Sequence, residues 1–73
     1  MPIEELETEV TGSVWKILVQ VGDLVSEGDE LIIMESMKME IPVLAPADGT
    51  VKEILTKEGD VLDEGAIVLR LEV

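Results

Sequence analysis

Apolar residues run along this chain in short bursts that end at glycine-acid turns. Val14 to Val21 and Val51 to Thr56 are rich in β-branched and aliphatic residues, and Gly22-Asp23 and Gly59-Asp60 follow them. Such a run stopped by a turn pair predicts a strand. Leu31 to Met34 and Ile67 to Leu71 predict a second long strand after each turn, with the apolar pairs Leu24-Val25 and Val61-Leu62 in between. Gly22, Gly28, Gly59 and Gly65 are the expected sites of tight turns, where φ > 0 is needed. Strict alternation fails around Val14–Leu18 and Val51–Leu55, which predicts a bulge or a change of face. No segment sustains a helical period.

The pattern occurs twice. Gly12 falls on Gly49, and the same offset of 37 residues carries Val14 to Val51, Ile17 to Ile54, Leu18 to Leu55, Gly22-Asp23 to Gly59-Asp60, Glu27-Gly28 to Glu64-Gly65 and Glu35 to Glu72. Each copy is too small to bury its own apolar surface, so the two are expected to pack around a pseudo-twofold axis. The fold expected is all-β: a flattened barrel or sandwich of about eight short strands in two four-stranded antiparallel sheets, a barrel-sandwich hybrid. Lys38 lies between the repeats. The offset maps it to position 1 in one direction and just past the C-terminus in the other. The termini are therefore expected together at one end and Lys38 at the opposite end.

Composition narrows the functional classes. The chain has 73 residues and reads as a single domain, 1–73. That length buries only about 60% of the unfolded surface. With no Cys and no His, there is no disulfide staple, no ordinary zinc site and no nucleophilic triad. Ser13, Ser26 and Ser36 have nothing to activate them. No metal site and no catalytic residue are expected. Trp15, the one aromatic residue, is expected as partly buried packing.

The net charge of −12, from 17 acidic and five basic residues, disfavours nucleic acid and anionic membrane as partners. A soluble, self-repelling surface is the default reading, with steering toward a basic partner as the functional one. The N-terminus, Met1-Pro2-Ile3-Glu4-Glu5, lacks the basic and apolar regions of a signal peptide. No apolar stretch is long enough to span a membrane. A cytoplasmic location is the expectation.

The remaining segment carries the chemistry. Glu35-Ser36-Met37-Lys38-Met39-Glu40 stands between the apolar runs Leu31–Met34 and Ile41–Leu44, which predicts a hairpin with its tip near Met37-Lys38. Neither tip residue is the Gly, Asn or Asp that two-residue turns prefer, so mild strain is expected and the lysine should project into solvent.

Met37-Lys38-Met39, framed by Gly22-Asp23-Leu24-Val25 with Glu27-Gly28 on one side, and by Ala45-Pro46-Ala47-Asp48-Gly49-Thr50-Val51 and Lys57-Glu58-Gly59-Asp60-Val61 on the other, resembles the attachment site of biotinyl (biotin carboxyl carrier) domains. The resemblance covers residues 10 to 73. Two departures are visible. Ser36 stands where the family commonly has Ala. No thumb-like insertion interrupts Trp15 to Gly22, which places the chain with the thumbless group and the small free-standing biotin/lipoyl attachment proteins.

The resemblance implies that Lys38 carries covalent biotin, with Met37, Met39, Glu35, Ser36 and Glu40 as flanking recognition residues. It implies a carrier, not an enzyme. Such a domain would move carboxybiotin between the biotin carboxylase and carboxyltransferase of a biotin-dependent carboxylase. A biotin protein ligase would supply the activated acyl group, because an exposed lysine is protonated and a poor nucleophile. The alternatives are a lipoyl carrier, although family lipoyl sites resemble Asp-Lys-Ala, and an unmodified interaction module on the same barrel.

Overall fold

The computed structural model describes residues 2–73, and every regular element in it is a strand. The strands are β1 (Ile3–Glu7), β2 (Gly12–Ile17), β3 (Leu24–Val25), β4 (Glu30–Ser36), β5 (Met39–Leu44), β6 (Gly49–Ile54), β7 (Val61–Leu62) and β8 (Ile67–Glu72). They make two four-stranded antiparallel sheets, ordered β1-β8-β6-β3 and β5-β4-β2-β7.

The 37-residue offset carries β2, β3 and β4 onto β6, β7 and β8, and β1 onto β5. Most turn contacts are repeated with it. The Gly22 and Asp23 bonds to Val51 are matched by those of Gly59 and Asp60 to Val14, and Gly28 N–H on Ala45 by Gly65 N–H on Thr8. Gln20 N–H on the Asp23 carboxylate is matched by Lys57 N–H on Asp60. The four turn glycines sit at φ 88 to 96°, a region costly for other residues. Each half lends strand-like backbone to the other, which is why neither copy closes alone.

The register of β2 on β4 slips between Val14 and Lys16, and that of β6 on β8 between Val51 and Glu53. These are the bulges expected from the broken alternation, with Trp15 and Lys52 as the extra residues. Trp15 is 46% exposed, so half of it is covered, and Lys16 Nζ lies 5.8 Å from its ring centre. The strands after the bulges stop at Ile17 and Ile54, short of the Val21 and Thr56 limits read from apolar character. The Asp23 and Asp60 carboxylates capture backbone N–H groups there and turn the chain.

Leu31, Ile32, Met34, Val68, Leu69 and Leu71 are completely buried, with Val14 and Val51 beside them. Thr8, buried as well, donates its hydroxyl to Val10 C=O at 3.0 Å.

The pseudo-dyad sets the ends. Val73 N–H bonds Pro2 C=O at 3.0 Å, in the position that the Ser36–Met39 pair of β4 and β5 occupies in the other half. The Lys57–Asp60 turn contacts Val14, near the start of β2, so the end of the first sheet remote from the termini adjoins the β4–β5 hairpin. The hairpin tip and the Pro2 and Val73 ends of the described chain thus lie at opposite ends of a body about 35 Å long. Met1 is outside the described residues.

Candidate functional site

β4 and β5 run in unbroken register from Ile32↔Val43 to a last pair, Ser36↔Met39. That leaves Met37 and Lys38 as a two-residue turn. Both have positive φ, 51° and 66°, the geometry of a type I′ turn. Non-glycine residues enter that region at a cost of about 1–2 kcal/mol each. The expected strain is therefore real, and a cross-strand stem has to hold it.

The turn exposes what the motif needs exposed. Met37 is 92% exposed and Met39 63%, so neither methionine serves the core, whereas Met34 three residues earlier is fully buried. Lys38 is exposed. Both ion pairs found among the described residues belong to Arg70, leaving the Lys38 amine unengaged by carboxylates. An exposed amine at the apex of a projecting turn fits a covalently attached acyl group, because nothing overlies it.

Below the tip, Glu35 and Glu40 are direct cross-strand partners and both are exposed. Like charges placed opposite one another oppose strand pairing. Ser36 is half-buried and its hydroxyl donates to Thr11 C=O at 2.9 Å. Thr11 in turn accepts Glu64 N–H on its own hydroxyl at 3.0 Å.

Gly12, the next residue, lies so close to the stem that a Cβ would collide with the carbonyl oxygen of Glu35. All six expected residues, Glu35 to Glu40, are thus brought together. Thr11, which buttresses them, is not singled out by the sequence, and Gly12 stands out there only as the repeat partner of Gly49. The matching of Gly12 to Gly49 was the available signal, since Gly49 meets the carbonyl of Glu72 in the same way.

Among the described residues no cluster of three or more Asp or Glu is arranged to hold a metal ion. No helix is long and apolar enough to cross a membrane. A groove of about 400 Å³ runs between the edge strands β1 and β5, lined by Glu4, Leu6, Met34, Ile41, Val43 and their neighbours. None of residues 35–40 lines it.

Residues 3–71 match the family model described as "Biotin-requiring enzyme". The chain is 48% identical over 63 residues to a biotin/lipoyl attachment protein of Bacillus subtilis (strain 168), covering 86% of each. It is 42% identical over 65 residues to the biotinylated protein TB7.3 homolog of Mycobacterium leprae (strain TN), covering 89% of this chain and 92% of that one. Among solved structures, the urea carboxylase of Kluyveromyces lactis superimposes with a TM-score of 0.91 at 42% identity, over 97% of this chain and 6% of the carboxylase.

Proposed function

This chain belongs to the family of biotin-requiring enzymes, and from that premise we propose that it carries biotin as an amide on Nζ of Lys38. The chain is a carrier and not a catalyst. The observation that supports Lys38 most directly is its place: an exposed lysine in a strained two-residue turn, between two exposed methionines, at the end of the molecule remote from Pro2 and Val73. Bound biotin supplies the carboxyl chemistry by accepting and releasing a carboxyl group. The protein's share is position.

Lys38 Nζ must lose a proton before it attacks an activated carboxyl carbon. The chain has no His to take that proton, so a biotin protein ligase supplies both the base and the activated acyl group. Met37, Met39 and the Glu35/Glu40 pair form the surface such a ligase meets first, along with Ser36 at the stem. Once attached, the group serves two further partners, a biotin carboxylase and a carboxyltransferase. Tethering makes each transfer nearly intramolecular, with effective concentrations on the order of millimolar. The single-domain reading of 1–73 and the cytoplasmic location belong to the same proposal.

Intact mass of the protein from cells grown with ample biotin tests it: one biotinyl addition is expected. A lipoyl addition, or none, would replace the carrier assignment with the lipoyl or unmodified reading. Lys38→Ala should fold as before and lose all label on a streptavidin blot. Label persisting on Lys16, Lys52 or Lys57 would refute the site.

A further inference from the structure

The geometry points to Ser36 as a positioning residue that braces the attachment turn against the β1–β2 loop. The inference rests on the proposed role of Lys38 and goes beyond it, because Ser36 acts on the turn and not on the attached group.

The argument starts from the pseudo-symmetry. Thr11 and Asp48 are equivalent positions, and each accepts a backbone N–H from the equivalent turn, Glu64 N–H at 3.0 Å and Glu27 N–H at 2.8 Å. That support is common to both ends. Gly12 and Gly49 likewise bring β2 and β6 against the carbonyls of Glu35 and Glu72. The hydroxyl of Ser36 has no counterpart. Its equivalent position is Val73, which has no donor on its side chain, and the rung there closes through Val73 N–H to Pro2 C=O. The extra bond, Ser36 Oγ to Thr11 C=O at 2.9 Å, is found at the end that carries the lysine.

The difference has a physical reason. At the hairpin end the chain must pass through two residues at φ 51° and 66°, and such a conformation persists only where its surroundings over-determine it. At the other end Val73 and Pro2 close the ladder with no described turn between them, so no comparable strain needs holding. Ser36 is the last stem residue before the turn. Fixing its side chain to Thr11, itself fixed to Glu64, ties the turn to two neighbouring loops. A turn held in one geometry presents Lys38 to a ligase without first having to be ordered, which lowers the entropic cost of docking. An alanine at this position would fit the space and lose the tie.

The test compares the unmodified protein with Ser36→Ala and Ser36→Thr, measuring backbone order at Met37 and Lys38 by NMR and steady-state labelling by a biotin ligase. The expected result for Ser36→Ala is a melting temperature lowered by no more than several degrees, the size of one hydrogen bond. Order parameters at the turn should fall from the rigid range near 0.85 toward the flexible range below about 0.6. KM for the carrier should rise roughly fivefold, the size of one hydrogen bond, with kcat unchanged. Ser36→Thr should restore both readouts.

Unchanged order at residues 37 and 38 would overturn the brace. Lowered order with unchanged KM would overturn its positioning role. If the unmodified protein is not labelled at all, the reading of Lys38 fails while the order parameters still judge the brace.

Discussion

The two sheets present the same rows of positions on their outer faces and fill them differently. Across the β1-β8-β6 face one row reads Glu5, Arg70, Glu53. Arg70 Nε donates to Glu5 at 3.0 Å and an Arg70 terminal nitrogen to Glu53 at 2.7 Å. Bonding to Glu5 first and Glu53 second raises the guanidinium above its ordinary value. The equivalent row on the hairpin-bearing face reads Pro42, Ile33, Lys16, with Trp15 beside Lys16. One row is a closed set of ion pairs; the other is apolar with one lysine. Inside, the halves agree: Met34 and Leu71 are equivalent and both fully buried, as are Val14 and Val51 to within a few per cent. The halves share their interior and differ on their outer faces and at the tip.

The deepest test of that division is to damage the interior on both sides. Met34→Ala and Leu71→Ala should each cost about 2–5 kcal/mol, the range for emptying a buried long side chain, and nearly the same amount. Urea melts measure this. A cost confined to one of them would mean that the halves do not share one core.

At the tip the comparison should reverse sign. Met37→Asn replaces a residue that tolerates positive φ poorly with one that tolerates it well. Stability should rise by about 1 kcal/mol, while biotin labelling slows because the exposed methionine is lost. Calorimetry and a labelling time course together decide it; lower stability would show that Met37 packs and is not a presented residue.

The smallest effect belongs to the outer rows. Arg70→Ile copies the Ile33 chemistry onto the opposite face. Both ion pairs are half exposed and such pairs are worth under about 1 kcal/mol, so the melting temperature should shift little. Its dependence on salt should weaken. A large destabilisation would make the Glu5–Arg70–Glu53 row structural.

Much of this was legible in the residues. The glycine-acid pairs located the turns, the broken alternation located the bulges, and the 37-residue offset gave the placement of Lys38 opposite the termini and the pairing of halves, because turn glycines and buried aliphatics must recur wherever the backbone recurs. The hairpin tip followed from Met37-Lys38 lying between two apolar runs.

What was not legible has specific causes. β1 was hard to see as a strand because Ile3–Glu7 holds three glutamates, which strands disfavour, and only Leu6 resembles its equivalent, Val43. The strands stop short of the expected limits because the apolar run continues past their last residues: Leu18 and Leu55 still bond to Leu31 and Val68, but the turns at 20–23 and 57–60 follow at once. The role of Ser36 was hidden because a small residue before Met37 reads as mere accommodation. Its partner is the carbonyl of Thr11, a backbone atom that leaves no trace in the identity of a residue.

The rung between Val73 and Pro2 means that the chain nearly closes into a ring. Two residues are enough to turn the backbone from Ser36 to Met39, and a link of the same length would serve between Val73 and Pro2, since the flanking strands occupy equivalent positions under the 37-residue offset. A circularised molecule would carry a hairpin at each pole. Opening it instead at Met37-Lys38 would give a permuted order of the same strands, with its loose ends where the lysine now stands. What sets one pole apart from the other is the Met37-Lys38 turn and the Ser36–Thr11 bond beneath it, not the strand framework that the two poles share.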